Sequence, residues 1–236
     1  MTAEQGHGDA FERIVIARSG LQVAPDRHTG PTSLNDIPME GTRDAVPISV
    51  KVSQWPIGHT ASRPTLALGD ARRFFEASTH AAGLRIVAGL HHPTPNGPLV
   101  YEIHTCLVSP AMQAGLWGDL TLDDLRTLTE HIKAWAREDD AKGVVGRKRA
   151  SEKALQAKRR LLPRMGHVDL SPKISAQEAR LQCAIPLHTL RRECINAGNT
   201  ATMASMLEGD THWLDIPLPL QLPGGKRTSG HPTTGA

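Results

Sequence analysis

The sequence has few aromatic residues, few cysteines and no long apolar run. Phe, Trp and Tyr make up 3% of its 236 residues, so a core must be built mainly from Leu, Ile, Val and Ala. Cys106, Cys183 and Cys194 lie far apart without a CxxC motif, which argues against a disulfide framework or a Cys-rich zinc site. No stretch approaches the roughly 20 apolar residues that cross a bilayer, so a membrane-spanning protein is not expected. The first residues lack the order of a secretory signal, which predicts a cytoplasmic protein.

The composition is otherwise that of a globular protein, and its charge is unevenly distributed. Hydrophobic residues make up 39% and charged residues 22%, with a formal net charge of +3. Residues 119–140 contain seven acidic and three basic side chains, whereas residues 142–164 contain nine basic and one acidic side chain. A basic block of this kind is either a solvated helix face or a binding surface for phosphates.

Hydrophobic periodicity predicts an α/β protein. The patterns indicate a helix, a β-hairpin, a second helix and two further strands, over residues 7–21, 32–39 with 46–55, 66–83, 84–92 and 98–109. Beyond them we expect helices from Thr121 to near Lys142 and over 147–162, then a strand over 179–187 followed by a short helix, and an edge segment within 211–222. The fold expected is an α/β core with a helical C-terminal elaboration.

The residues from Asp36 to Lys51 are the strongest candidates for chemistry. Asp36 ends one predicted strand and could bind a divalent metal through oxygen, as hard cations prefer. Ser49 and Lys51 are two residues apart on the paired strand, so their side chains share a face. The main-chain carbonyl of Val50 could be a further oxygen ligand. Lys51 could then position or deprotonate a water that attacks phosphorus.

With Glu12 in the opening GDAFE helix, Asp36 on a strand, Ser49-Val50-Lys51 on the next strand and a helix behind, residues 8–110 resemble the PD-(D/E)XK nuclease superfamily. This resemblance implies a central mixed β-sheet flanked by helices, as in type II restriction endonucleases. It also implies a Mg²⁺ site in which Glu12 approaches the metal. Ser49 stands where the family usually has an acid. A subgroup with Ser-x-Lys recruits a Glu from the following helix, for which Glu76 is the candidate here.

The DNA-binding residues expected from the sequence lie in the second half of the chain. The basic segment would neutralise phosphates without reading sequence. Arg180 and Gln182 are among the side chains available to contact base edges. The full set of candidates is Arg147, Lys148, Arg149, Lys153, Lys158, Arg159, Arg160, Arg180 and Gln182.

Other patterns in the sequence leave alternatives open. Pro25-Asp26 is a literal PD pair that could replace Asp36. His91, His92 and His104, with Asn96, suggest an HNH or zinc site, but the surrounding pattern is that of a strand, so we interpret them as surface and turn histidines. Glu102 and His104 share a strand face and could be half of a metal pair.

The function predicted is that of a Mg²⁺-dependent type II restriction enzyme that cuts double-stranded DNA as a homodimer. We expect a nuclease-like core over 1–115, a helical, basic DNA-contacting part over 116–221 that packs on or completes the core, and a flexible tail over 222–236. The first alternative is a catalytically inactive nucleic-acid-binding protein on a degenerate nuclease fold. The second is an enzyme or regulatory subunit that does not act on DNA, whose basic helix meets an acidic partner.

Overall fold

The computed structural model describes residues 3–18, 42, 45–59, 63–206 and 214–223. These residues form two β-sheets with helices packed on them. The sequence-predicted strand over 32–39, Asp26, Asp36 and most of the tail lie outside the described residues. No helix in the described part of the chain is long and apolar enough to span a membrane.

The larger sheet, called the main sheet, is mixed. Its strands are β1 (Ile48–Gln54), β3 (Leu84–Thr94), β4 (Gly97–Val108), β7 (Ala201–Ser205) and β8 (Leu220–Gln221). The strand order is β1-β3-β4-β7, and β8 also pairs with β4. β1 runs parallel to β3, whereas the other neighbouring pairs are antiparallel. A mixed sheet flanked by helices confirms the predicted α/β fold class.

The smaller sheet, called the small sheet, has three antiparallel strands. They are β2 (Thr65–Asp70), β6 (Ala179–Pro186) and β5 (Asp169–Ile174), in that order across the sheet. The sequence patterns do not predict β5, which contains Pro172. The strand lies at an edge of the small sheet, where a proline costs no ladder hydrogen bond on its open side.

Helices cover both faces of the main sheet. They are α1 (Ala3–Arg18), α2 (Ala71–Thr79), α3 (Gln113–Trp117), α4 (Leu122–Glu138), α5 (Val144–Leu161) and α6 (Leu187–Asn196). Phe11 and Val15 of α1 are fully buried in one apolar cluster with Ile48, Val50 and Val87. The other face joins a second cluster, which includes α2, α4, α6 and the inward side of the small sheet.

The predicted helix over 66–83 is wrong in its first part, because residues up to Asp70 form β2. Leu66 and Leu68 are buried while Thr65 and Ala67 are exposed, which is the two-residue alternation of a strand. The helix begins only after Asp70, whose carboxylate accepts a hydrogen bond from the main-chain N–H of Arg73 at 3.1 Å. An N-cap therefore separates strand from helix.

The acidic helix α4 begins as the sequence predicts and ends earlier. Thr121 and Asp124 form a reciprocal capping box at its start. The helix ends at Glu138, and Asp140 has a φ of 49°, which does not continue a right-handed helix. This turn leads into α5, so the acidic and basic segments form neighbouring helices.

The second half of the chain contributes strands to both sheets. β6 pairs with β2 in the small sheet, and β7 pairs with β4 in the main sheet. The edge segment expected within 211–222 is reduced, among the described residues, to the two residues of β8. The residues after 115 thus supply strands as well as the predicted helices.

Candidate functional site

Strand β1 places Ser49 and Lys51 on one face of the main sheet. Ser49 lies opposite Ile86 of β3, and Lys51 lies opposite Ala88. Val50 points to the other face, where it joins the apolar cluster beneath α1. Ser49 is buried and Lys51 is half-buried. The shared face predicted for Ser49 and Lys51 is therefore what the strand provides.

The ammonium of Lys51 lies beside the main-chain carbonyl of Val50. Its Nζ donates a hydrogen bond to that oxygen over 3.0 Å. The carbonyl is the one that the sequence suggests as a metal ligand, and the lysine is the one expected to act on the attacking water. The side chain folds back along its own strand, so the ammonium and the carbonyl oxygen form one compact polar group.

The predicted acidic residues are not gathered around Lys51 in the described part of the chain. Glu12 lies on α1, the helix that covers the face opposite the Lys51 side chain. Glu76 lies on α2 and forms an ion pair with Arg126 of α4 at 3.6 Å, with about half of each side chain exposed. Asp36 and its substitute Asp26 fall outside the described residues. The roles of Glu12, Glu76 and Asp36 stay predictions.

An acidic residue that the sequence reasoning missed, Asp70, lies near Lys51. Burial raises the pKa of the Cys183 thiol, the negative charge of Asp70 raises it further, and the positive charge of Lys51 lowers it. Both charged groups therefore lie close to this one thiol of β6. Asp70 pairs with Gln182 at the end of β2, at the start of α2. An Asp before a helical run is a recognisable N-cap signal, and the expectation of a single helix over 66–83 conceals it.

These residues are compatible with a hard cation, although they do not enclose one. Among the described residues there is no group of three or more His, Cys, Asp and Glu side chains that could hold a metal. Mg²⁺ usually keeps several waters and needs only one or two carboxylates in addition to phosphate oxygens. The Val50 carbonyl and the Asp70 carboxylate would be the protein oxygens nearest to Lys51 among the residues described.

The histidines are placed differently from the prediction. His91 and His104 are buried on strands and are not surface or turn residues, because the strands extend to leave a turn of only Pro95 and Asn96. His104 Nε2 hydrogen-bonds to the Glu102 carboxylate, as their shared strand face allows. His92 Nδ1 accepts the Ile57 N–H at 3.2 Å. The structure gives these residues no arrangement of the HNH type.

Helix α5 separates its basic residues into paired and exposed sets. Lys153 forms an ion pair with Asp139 at 2.7 Å, and Lys158 forms one with Asp169 at 2.6 Å. Arg147 donates to the carbonyl of Lys142 at 3.1 Å. The remaining four of the predicted helix residues are exposed and form no ion pair with any described residue: Lys148, Arg149, Arg159 and Arg160.

The two predicted base-reading residues lie on β6 of the small sheet. Arg180 is opposite Lys173 and forms an ion pair with Glu178 at 3.3 Å. Gln182 lies between Ser171 on β5 and Asp70 on β2, so its side chain shares a sheet face with them. Asp70 thus lies in one cross-strand row with Gln182, and its charge acts on the same thiol as that of Lys51.

Comparison with models of protein families, with curated proteins and with solved structures finds no match to this chain. The functional argument therefore rests on the geometry of the chain itself.

Proposed function

We propose that this chain is a Mg²⁺-dependent endonuclease that hydrolyses phosphodiester bonds of double-stranded DNA, as a type II restriction enzyme of a restriction–modification pair. The observation that carries the proposal is the contact between the Lys51 ammonium and the Val50 carbonyl, on a strand that also presents Ser49. That strand is followed by a helix and by a parallel strand, β3, in the order expected of a PD-(D/E)XK core.

In this proposal the chain's own groups have separate tasks. Lys51 orients the attacking water and stabilises the negative charge that develops on the phosphate as the P–O bond breaks. Asp36 supplies a charged oxygen ligand, and Asp70 provides the second acid that Ser49 does not. A bound Mg²⁺ would polarise the phosphate and lower the pKa of water. Asp70 is added because its charge acts on the same thiol as that of Lys51, whereas Glu76 is engaged with α4.

The partners follow from the same proposal. Lys148, Arg149, Arg159 and Arg160 would contact phosphates, and a homodimer would place two sites on the two strands of a palindromic sequence. A cytoplasmic location is part of the proposal, and it is supported by three buried cysteines that are all free thiols.

The test is cleavage of mixed-sequence duplex DNA with Mg²⁺ and with EDTA, using the wild-type protein and Asp36→Asn. We expect discrete fragments from the wild type with Mg²⁺ alone. The variant should bind DNA without cutting it, because it keeps the side-chain shape and loses the charged ligand. Wild-type protein that binds DNA but never cuts it, with any divalent cation, would contradict the proposal.

A second candidate function is DNA binding without catalysis. It is favoured by one observation: Ser49 is only 1% exposed, so the position of the usual acid is filled by a buried hydroxyl side chain. The same assay separates the two, because this candidate predicts salt-sensitive binding that is identical with Mg²⁺ and with EDTA.

A further inference from the structure

Two of the three cysteines face each other between α6 and β4. Cys106 is on β4, where it pairs with Ile86 on one side and Ala201 on the other. Cys194 is in the last turn of α6, and this helix packs directly on β4. Both side chains are buried. The residues are far apart in sequence, so only the packing of α6 brings them together.

The thiols are in contact through hydrogen bonds. The side chains of Cys106 and Cys194 hydrogen-bond to each other. Cys194 Sγ also lies 3.3 Å from the carbonyl oxygen of Leu107, the residue next to Cys106, and 3.1 Å from that of Thr200. These contacts hold the Cys194 sulfur against the strand that carries Cys106.

The environment distinguishes the two sulfurs. The hydrogen bond from Cys106 lowers the pKa of Cys194, with smaller contributions from the main chain of Leu107 and from Arg191, against the opposing effect of burial. The same hydrogen bond, together with burial, raises the pKa of Cys106. Cys194 is therefore the more nucleophilic sulfur, and Cys106 keeps the proton. Cys183 has a pKa raised chiefly by burial, and it provides an internal comparison.

We propose that Cys106 and Cys194 are a redox modification site, at which a small hydroperoxide converts the two thiols into a reversible disulfide. The Cys194 thiolate attacks the peroxide, breaks its O–O bond and becomes a sulfenic acid, with release of water. The Cys106 sulfur then attacks the sulfenic sulfur, forms the S–S bond and releases a second water. The two thiols lose two electrons and the peroxide gains them. A thiol reductant reverses the reaction.

The disulfide would join the last turn of α6 covalently to the main sheet. It would close the chain between residues 106 and 194, which contains α4, α5 and the strands β5 and β6. Cross-linking a long segment restricts the unfolded chain, so the oxidised protein should unfold at a higher temperature than the reduced protein. This inference concerns a site separate from Lys51, and it does not depend on the proposed nuclease activity.

The experiment uses the full chain, treated with graded hydrogen peroxide and mapped by mass spectrometry of its peptides. The wild type should lose two hydrogen atoms and yield one cross-linked peptide that contains Cys106 and Cys194. Cys183→Ala is the matched control, because it removes a buried thiol and should still form the cross-link. Cys106→Ala should instead accumulate sulfenic or sulfinic acid at Cys194. Addition of a thiol reductant should return the wild-type mass and lower the unfolding temperature again.

Two outcomes would overturn the inference. One is wild-type protein that oxidises its methionines while both thiols stay reduced. The other is oxidation of Cys194 to sulfinic acid in the wild type while Cys106 remains a free thiol. Both are read from the wild-type peptide map, so they hold even if a variant fails to fold.

Discussion

At the scale of single residues, the proposed chemistry depends most on Lys51. Its ammonium is held 3.0 Å from the Val50 carbonyl on a half-buried strand position, where its charge is less screened than on an open surface. A strand lysine that only solvates the protein surface would not need this position. The structure therefore makes Lys51 the first residue to replace.

Replacing Lys51 with Ala should slow Mg²⁺-dependent cleavage at least about a hundredfold, the usual scale for losing a positioned proton-transfer or charge-stabilising group. Single-turnover cleavage of a DNA duplex measures this rate. Lys133→Ala is the control, since this lysine forms an ion pair with Glu130 on α4 and has no role in the proposed site. Cleavage at the wild-type rate by Lys51→Ala would move the site elsewhere.

Asp70 offers a test that separates catalysis from folding. Asn and Asp cap helices about equally well, so Asp70→Asn should change the free energy of unfolding by less than about 0.5 kcal/mol, whereas Asp70→Ala should cost about 1 kcal/mol. Both variants remove the carboxylate, and both should slow cleavage about a hundredfold if it acts at the site. Urea unfolding and cleavage rates are measured on the same preparations.

The two variants of Asp70 also show what would contradict its assignment. If Asp70→Asn cleaves DNA normally and only Asp70→Ala loses stability, the residue is solely the N-cap of α2. Glu76 and Glu12 would then be the remaining candidates for the second acid.

At the scale of elements, α5 is the helix whose two faces differ most. Small residues, Gly146, Ala150 and Ala154, are buried against the protein. The outer face carries exposed basic residues together with exposed Val144 and Leu155. The ion pairs of Lys153 and Lys158 explain why a count of charges from the sequence overstates the surface available to phosphates.

Replacing Lys148 and Arg149 together with Ala should weaken binding to all duplexes by a similar factor. The slope of log affinity against log salt concentration should flatten by about 0.9 for each phosphate that the variant no longer binds. The same should hold for Arg159 and Arg160, while Lys133→Ala leaves the slope unchanged. Binding isotherms at several salt concentrations measure it. An unaltered slope in both double variants would mean that α5 does not contact the DNA backbone.

The junction between α4 and α5 depends on a close backbone approach. A Cβ at Gly146 would collide with the main-chain carbonyl oxygens of Asp139 and Asp140, whereas one at Gly143 would meet nothing nearer than 3.8 Å. Gly146→Ala should therefore lower the free energy of unfolding by about 1–3 kcal/mol, as overpacked positions do. Gly143→Ala is the matched control and should cost less than about 1 kcal/mol, because Ala is only a poorer N-cap than Gly. Urea denaturation measures both; equal effects would refute the close approach.

At the scale of the whole molecule, the two halves of the chain are joined through their sheets. β2 and β4 come from the first half, and they pair with β6 and β7 from the second. A boundary near residue 115 in sequence therefore crosses hydrogen-bonded strand pairs.

A fragment of residues 1–115 should not fold by itself, because β2 would lose its pairing with β6, and β4 would lose β7 and β8. Unpaired strand edges of this kind promote aggregation. Circular dichroism and urea unfolding of the fragment, compared with the full chain, measure this. A fragment that unfolds cooperatively, with native-like protection from proteolysis, would show that the first half is an independent domain.

The sequence by itself determined the elements that have strong local signals. The alternation of Ile48, Val50 and Val52, the capping Thr121 and the basic helix after Gly143 all appear as predicted, because periodicity and capping act over a few residues. The shared face of Ser49 and Lys51 follows from the same local geometry.

Tertiary structure alone decided the rest. β2 is a strand because Leu66 and Leu68 find a partner in β6, more than a hundred residues away, and no local pattern contains that partner. The nearness of Asp70 to Lys51 and the contact between Cys106 and Cys194 depend on the same kind of long-range packing. Such contacts are fixed by which apolar faces bury one another, and that choice belongs to the folded chain as a whole.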